Sequence, residues 1–269
     1  MICLTGDLHH RSLRTDNQRH SDLSELECAR RYLALLEDAG VKVTFFASGR
    51  CFVEDWDELA PIAAHPLVEL GGHNWSCLTP AIVHRVWRKA IGSYNGPPWW
   101  QELDARLTIE AARRRTGRTI RVWRNHMYMH GPWTEQVLRR AGIALVSDGV
   151  RRDATGPERH PSGILTFPLN VIPDHEHLYH AERTPEWVAR WQARYRWSDD
   201  FGPDSYRIGD WVEIVLANLR DNEARGAVSN MIVHPITMWL CDRFEGFRRI
   251  LACLATRRTA HLGELVGAT

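Results

Sequence analysis

The chain has 269 residues, of which 44% are hydrophobic and 25% are charged, and this composition is ordinary for a globular protein. Its 34 Lys and Arg residues nearly balance 33 Asp and Glu residues, so no global field favours nucleic acid or an anionic membrane as a partner. No apolar run approaches the roughly 20 residues of a membrane span, and no basic and apolar leader starts the chain, so we expect a cytoplasmic protein.

Patterns typical of strands and of helices alternate along the whole chain. Short β-branched, aromatic or apolar runs predict strands at residues 2–5, 41–46, 67–70, 119–123, 143–146, 164–167 and 228–233. Apolar residues at three- and four-residue spacing predict helices at residues 22–39, 55–64, 80–91, 103–115, 133–141, 185–195, 209–222 and 244–255. Residues 151–163 contain Pro and Gly and are predicted to form a loop. A helix after nearly every strand indicates parallel βαβ units, so we predict one α/β domain over residues 1–269, a barrel rather than an open sheet.

Polar functional groups follow almost every predicted strand. These groups are Asp7, His9, His73, Arg124, His126, Asp148, Asp174, His177 and His234. Because the carboxyl ends of parallel strands share one face of a barrel or sheet, we expect a functional site on that face.

Asp7, His9 and His73 are the first candidates for chemistry. Asp7 and His9 alternate, so both could project to the same side of the chain, and Asp with His forms metal sites or acid–base pairs. His73 follows two glycines that let the backbone approach a ligand closely, which makes it a candidate metal ligand. Cys77 would share the face of His73 if the segment turns helically, although a thiol packed in the core is the alternative.

Arg124 and His234 are candidates for charge stabilisation and proton transfer. Arg124 could hold a carboxylate ionised by bidentate pairing, or form an ordinary salt bridge instead. His234, between a predicted strand and Pro235, could protonate a leaving amine, with Asp148 as the partner that orients it. The alternative for His234 is a purely structural histidine.

Two further groups could contact a substrate. Asp174, His175 and His177 belong to a cluster that could bind a second metal or hydrogen-bond a polar substrate, and we favour the substrate. Trp99 and Trp100 could stack on a sugar ring, with core packing as the alternative.

Several of these segments resemble motifs of a known family. They are Leu-Thr-Gly-Asp-Leu-His at 4–9, Val-Thr-Phe-Phe at 43–46, Glu-Leu-Gly-Gly-His at 69–73, Arg124, and Val-His-Pro at 233–235. In order and strand position they resemble the polysaccharide deacetylases of the NodB-homology type (carbohydrate esterase family 4) over most of the chain. The resemblance implies a distorted (β/α)7 barrel that carries a divalent metal, usually zinc. It also implies roles for Asp7 as base, His73 as ligand, Arg124 as partner of the base, Asp148 as support of the late histidine, and His234 as acid.

The chain departs from the family pattern at three places. His9 stands where the family has a metal-binding aspartate, so His9 is expected to replace it as a ligand. Cys77 stands in place of the second histidine of the His-x-x-x-His motif. Asn125 and His126 follow Arg124 where a proline is expected, which makes His126 another possible ligand.

The sequence therefore predicts a metal-dependent hydrolase that cleaves a C–N amide bond. Removal of an N-acyl group, such as acetyl, from an amino-sugar-containing small molecule or glycan is the leading expectation. The alternatives are hydrolysis of a cyclic amide or ureide on the same barrel, and a ligand-binding barrel without catalysis. The pattern does not indicate an oligomeric state.

Overall fold

The computed structural model describes residues 1–181 and 183–267, and within them one sheet of eight strands is flanked by helices. The strands are β1 (Ile2–Leu8), β2 (Val43–Ala47), β3 (Val68–Gly72), β4 (Val122–Trp123), β5 (Leu145–Val146), β6 (Glu158–Arg159), β7 (Leu165–Thr166) and β8 (Ser229–Ile232).

Twelve α-helices lie in the described residues and connect or follow the strands. They are α1 (Asp16–His20), α2 (Glu25–Ala39), α3 (Cys51–Glu54), α4 (Trp56–Ala64), α5 (Ala81–Ile91), α6 (Pro98–Thr116), α7 (Thr134–Arg140), α8 (Asp174–His177), α9 (Pro185–Tyr195), α10 (Ile208–Ala224), α11 (Pro235–Asp242) and α12 (Glu245–Leu254).

The sheet curls into a barrel whose strand order is β6-β7-β5-β4-β3-β2-β1-β8. All neighbouring strands are parallel except β6, which runs antiparallel to β7. The segment after β7 meets β8, because the Asn170 N–H donates to the Asn230 carbonyl (3.1 Å) and the Asn230 N–H donates to Asn170 Oδ1 (2.8 Å). These bonds connect the segment after β7 with β8 and so close the curled sheet, and the predicted α/β barrel is confirmed.

Several elements differ from the sequence prediction: α1, α3 and α8 lie where no helix was predicted, α6 begins at Pro98 instead of residue 103, and β6 and α11 were not predicted. β6 lies inside residues 151–163, which were predicted to form a loop, and its two residues are exposed, so no apolar alternation marks it. α11 begins directly after His234, whereas the sequence pattern predicted only that Pro235 ends a strand. Proline at the first helical position lacks an N–H that would have no partner there, so it starts a helix as readily as it ends a strand.

The buried hydrophobic residues form two clusters, a large one with side chains of β1, α2 and α12 and a smaller one that includes Cys3, Phe46 and Val122. All seven residues of β1 are buried, and the Tyr32 ring of α2 stacks on Phe247 of α12 at 4.2 Å between centroids. At Gly72 the last residue of β3 lies against the Trp123 ring, where an added Cβ would be only 2.3 Å from two ring carbons. This close approach holds the strand end that carries His73. Among the described residues, no helix combines the length and apolar character needed to cross a membrane.

Candidate active site

Five residues predicted at strand ends line one cavity at the carboxyl end of the barrel strands. The cavity has a volume of about 220 Å³. Its lining consists of Asp7, His9, Thr15, Asn17, Glu25, His73, His126, Met127, Tyr128, His175, Glu176, His234 and Ile236. The expectation that separate strand ends meet at one site is therefore confirmed for Asp7, His9, His73, His126 and His234.

Asp7 is the buried carboxylate at the floor of this cavity. Its Oδ1 accepts a hydrogen bond from Arg124 Nη1 at 3.0 Å. Its Oδ2 lies 3.6 Å from His73 Nε2 and 3.7 Å from His234 Nε2. Burial acts to raise the pKa of Asp7, but the neighbouring side chains of His73, Arg124 and His234 hold that pKa well below its ordinary value. Asp7 is therefore an ionised carboxylate.

Arg124 is fully buried beneath Asp7, with its guanidinium carbon 4.4 Å from the centroid of the Phe46 ring. Only one of its nitrogens reaches Asp7, because Nε donates to the Ser147 carbonyl (2.9 Å) and Nη2 donates to Ser147 Oγ (2.8 Å). The predicted bidentate pairing is thus replaced by a single bond to the carboxylate. The two bonds to Ser147 fix the guanidinium plane.

His234 is held by Asp174 and not by Asp148. His234 Nδ1 lies 2.7 Å from Asp174 Oδ1, and the His234 backbone N–H donates to Asp174 Oδ2 at 2.6 Å. Asp174, predicted to bind substrate, is completely buried, and both of its oxygens are engaged by His234. Burial acts to lower the pKa of His234, but the charge and hydrogen bond of Asp174, joined by Asp7, hold it well above its ordinary value.

The predicted contact between Asp148 and His234 is wrong, and the sheet order gives the reason. Asp148 follows β5, which lies between β4 and β7, whereas the segment after β7 meets β8 and places Asp174 beside His234. Asp148 instead accepts hydrogen bonds from the Asn125 backbone N–H (2.8 Å) and from Asn125 Nδ2 (2.6 Å). Through these two hydrogen bonds Asp148 supports the segment that carries His126. Burial raises the pKa of Asp148 to about 7.

A cluster of potential metal donors lies beside Asp7. His9, His73, His126 and Cys77 each offer one donor atom, and these atoms lie within 4.8 Å of one another. His73 Nδ1 donates to the Arg124 carbonyl at 2.9 Å, which leaves Nε2 with its lone pair. Among the described residues, His73 Nε2 and His126 Nδ1 are buried without a hydrogen-bond partner. Buried unpaired nitrogens and a nearby thiol are the donors that Zn²⁺ prefers, so this cluster fits a divalent metal.

Protonation differs within this cluster. Burial lowers the pKa of His73 to about 4 and holds that of His126 well below its ordinary value, so both rings are neutral and able to donate a lone pair. Burial raises the pKa of the Cys77 thiol well above its usual range. His73 and His126 are therefore ready donors, whereas Cys77 must first release its thiol proton before it can bind a cation.

The remaining predicted substrate contacts divide into two groups. His175 lines the cavity, whereas His177 is fully buried and its Nε2 lies 3.0 Å from Asp199 Oδ2, outside the cavity lining. Trp99 is 63% exposed, and with Trp100 it forms the first turn of α6, where neither ring lines the cavity. The predicted contacts of Trp99, Trp100 and His177 with a substrate in this cavity are thus not supported, because α6 begins earlier than expected and lies outside the barrel.

Several residues of the cavity lining were not predicted from the sequence. Glu176 Oε2 is buried without a hydrogen-bond partner among the described residues, and burial raises the Glu176 pKa to about 7. Met127 and Tyr128 have positive φ angles of 56° and 53°, a conformation that is costly for side-chain-bearing residues and is common at functional sites. Glu25 is a buried partner of His9. Only Glu176 carried a sequence signal, because it lies within the Asp174–His177 cluster.

The fold is shared with several enzymes of known structure. A candidate polysaccharide deacetylase from Mycobacterium smegmatis matches with a TM-score of 0.70 and 18% identity, covering 99% of this chain and 88% of that one. PuuE allantoinase matches with a TM-score of 0.66 and 13% identity, at 99% and 88% coverage. A family 4 acetyl xylan esterase from Clostridium thermocellum, solved with a cobalt ion, matches with a TM-score of 0.55 and 15% identity, at 99% and 90% coverage.

No protein-family model and no curated protein matches the sequence. At 18% identity or less, the structural matches establish the fold of the chain: it has the barrel of the polysaccharide deacetylases. The resemblance noted in the sequence is confirmed at that level.

Proposed function

We propose that this protein is a metal-dependent hydrolase that cleaves a C–N amide bond by removing an N-acyl group from an amino-sugar-containing small molecule or glycan. One observation carries the proposal: ionised Asp7 lies between His73, His234 and Arg124, beside the cluster of imidazole donors. A candidate general base (Asp7), a candidate general acid (His234) and imidazole donors for a metal thus line one cavity of about 220 Å³.

His9, His73 and His126 would hold the metal, and Cys77 is a fourth donor within reach. A divalent metal bound there would polarise an acyl carbonyl and acidify a water molecule. Zinc is the metal that the imidazole and thiol donors favour. The presence of a cobalt ion in a family 4 esterase with this fold supports a metal of this kind.

Asp7 and His234 divide the proton transfers. Asp7 Oδ2 accepts the proton of the attacking water, because the neighbouring positive charges keep this carboxylate ionised. His234 Nε2 gives a proton to the departing nitrogen, while Asp174 holds the opposite ring nitrogen. The two groups lie 3.7 Å apart at Oδ2 and Nε2, so both can reach a single amide group. Arg124 keeps Asp7 in place throughout.

A second candidate function is hydrolysis of a cyclic amide or ureide. Two observations favour it: the cavity is small, and PuuE allantoinase has the same fold. The chemistry assigned to Asp7 and His234 is the same in both cases, because each reaction breaks a C–N bond of an amide-type carbonyl. The substrate alone separates them.

The test is a substrate panel assayed with defined metal content. N-acetylated amino sugars, their short oligomers, cyclic amides and ureides are incubated with the chelator-treated protein and with the protein reloaded with Zn²⁺ or Co²⁺. We expect metal-dependent release of acetate from an amino sugar, with Asp7→Asn lowering kcat by about 10²- to 10⁴-fold. His73→Ala should no longer bind stoichiometric metal. The control is His20→Ala, because His20 is exposed and lies outside the cavity lining, and this variant should match the wild type in metal content and activity.

Each other outcome points to a different conclusion. Turnover of ureides alone would replace the first candidate by the second. Full activity of the metal-free protein would contradict the metal-dependent mechanism. Ligand binding without turnover, unaffected by His234→Ala, would indicate a ligand-binding barrel instead of an enzyme.

A further inference from the structure

Glu25 is a buried carboxylate in a position where acidic residues normally face solvent. It is the first residue of α2, and only 2% of its side chain is exposed. Removing a carboxylate from water costs several kcal/mol unless hydrogen bonds replace the lost hydration. Glu25 therefore has a structural or chemical task that its neighbours define.

The partner of Glu25 Oε1 is His9. Glu25 Oε1 accepts a hydrogen bond from the His9 backbone N–H at 3.0 Å and lies 2.8 Å from His9 Nδ1. Since a carboxylate only accepts, the proton of the imidazole must be on Nδ1. His9 Nε2 is then left with a lone pair.

The second oxygen of Glu25 is held from another segment. Gln18 Nε2 donates to Glu25 Oε2 at 2.9 Å. Gln18 is itself fixed, because its Oε1 accepts from the Thr15 backbone N–H (3.1 Å) and its own backbone N–H donates to Thr15 Oγ1 (3.1 Å). This capping box starts α1. Both oxygens of Glu25 are thus held by hydrogen bonds, and the side chain cannot rotate away from His9 without breaking them.

The His9 ring belongs to the donor cluster. The His9 ring centroid lies 5.1 Å from that of His73 and 5.3 Å from that of His126. One donor atom of His9 lies within 4.8 Å of those of the other three residues of the cluster. An imidazole that donates Nδ1–H to a carboxylate and offers Nε2 to a shared cavity has the arrangement of a metal ligand held by an outer partner.

We propose that Glu25 is a positioning residue for the metal: it fixes His9 in the Nδ1–H tautomer and aims Nε2 at the site. The His9 imidazole, held by Glu25, would then occupy the ligand position that a carboxylate occupies in the family that the sequence resembles. This inference rests on the proposed metal-dependent function and extends it to a residue that touches neither metal nor substrate.

The first test measures Zn²⁺ affinity by competition with a chromophoric chelator, independently of any substrate. Glu25→Gln keeps the size of the side chain but loses the charge, and outer-partner changes of this kind cost about 10- to 100-fold in affinity. The control is Glu27→Gln, on the same helix turn, whose side chain pairs with Arg30 and Arg31 at the surface. We expect Glu27→Gln to bind Zn²⁺ as tightly as the wild type.

The second test is a double-mutant cycle with His9→Ala. If Glu25 acts through His9, Glu25→Gln has no further effect on Zn²⁺ affinity once the imidazole is gone. An equal loss in both backgrounds would overturn the inference, and so would an unchanged affinity of Glu25→Gln in the native background.

The third measurement needs no altered Glu25 and so remains informative if Glu25→Gln does not fold. In the metal-free protein labelled with ¹⁵N-histidine, NMR at pH 8 should show His9 as the Nδ1–H tautomer, with the signal assigned by its loss in His9→Ala. The Nε2–H tautomer would overturn the inference. A wild-type protein that binds no Zn²⁺ would refute the proposed metal centre itself, whereas Zn²⁺ binding that is indifferent to Glu25 would refute only the role of Glu25.

Discussion

The substitution Asp174→Asn tests whether Asp174 controls the proton on His234. In the wild type, Asp174 Oδ2 accepts a hydrogen bond from the His234 backbone N–H (2.6 Å), and Asp174 Oδ1 lies 2.7 Å from His234 Nδ1. Asparagine has the same size but only one accepting oxygen. Because a backbone N–H cannot give up its proton, the new amide oxygen remains with it, and the NH₂ group faces Nδ1. The imidazolium form of His234 then loses its charged partner.

The size of the effect follows from the bond that is lost. A hydrogen bond to a charged group contributes about 1.5–3 kcal/mol, and one pKa unit corresponds to about 1.4 kcal/mol. We therefore expect the pKa of His234 to fall by about 1–2 units in Asp174→Asn. A neutral ring that accepts at Nδ1 is a poor proton donor, so the rate of amide cleavage should also fall, by about 10²- to 10⁴-fold.

The assay is a pH titration of the His234 ring by NMR in the metal-free protein, which requires no substrate. The control is Asp199→Asn, since Asp199 pairs with His177 Nε2 at 3.0 Å outside the cavity lining. We expect the His234 midpoint to move down only in Asp174→Asn. A midpoint equal to that of the wild type would refute the assignment of Asp174 as the group that holds the proton.

Three further predictions concern stability, each measured by urea unfolding. Burial raises the pKa of Asp104 from 3.8 to about 6. The stability that this group contributes is therefore complete below pH 3.8 and is lost as the pH rises through 6. Over this range the free energy of unfolding of the wild type should fall by about 3 kcal/mol at most relative to that of Asp104→Asn. The Tyr32 hydroxyl is buried without a partner in the described part of the chain, so Tyr32→Phe should stabilise by about 1 kcal/mol, and a clear loss would contradict this. Gly72→Ala should destabilise by about 1–3 kcal/mol against the Trp123 ring, whereas Gly156→Ala, with open space around it, should not.

Most of the barrel was predictable from the sequence because its elements carry local patterns. The helix at residues 185–195 was predicted with the bounds that α9 has, and the opening strand leads directly to Asp7. β6 and α11 were not predicted, since an exposed two-residue strand has no apolar alternation and Pro235 is compatible with both a strand end and a helix start.

The site was predictable where it depends on strand ends and not where it depends on contacts across the barrel. The sequence by itself determined that Asp7, His9 and His73 would meet, because parallel strands place their carboxyl ends on one face. Only the tertiary structure decided that Asp174 and not Asp148 holds His234, since this depends on how the segment after β7 closes on β8. It likewise decided that Glu25 turns inward to His9, because the first turn of a helix gives an acidic residue the same local pattern whether it faces solvent or a buried imidazole.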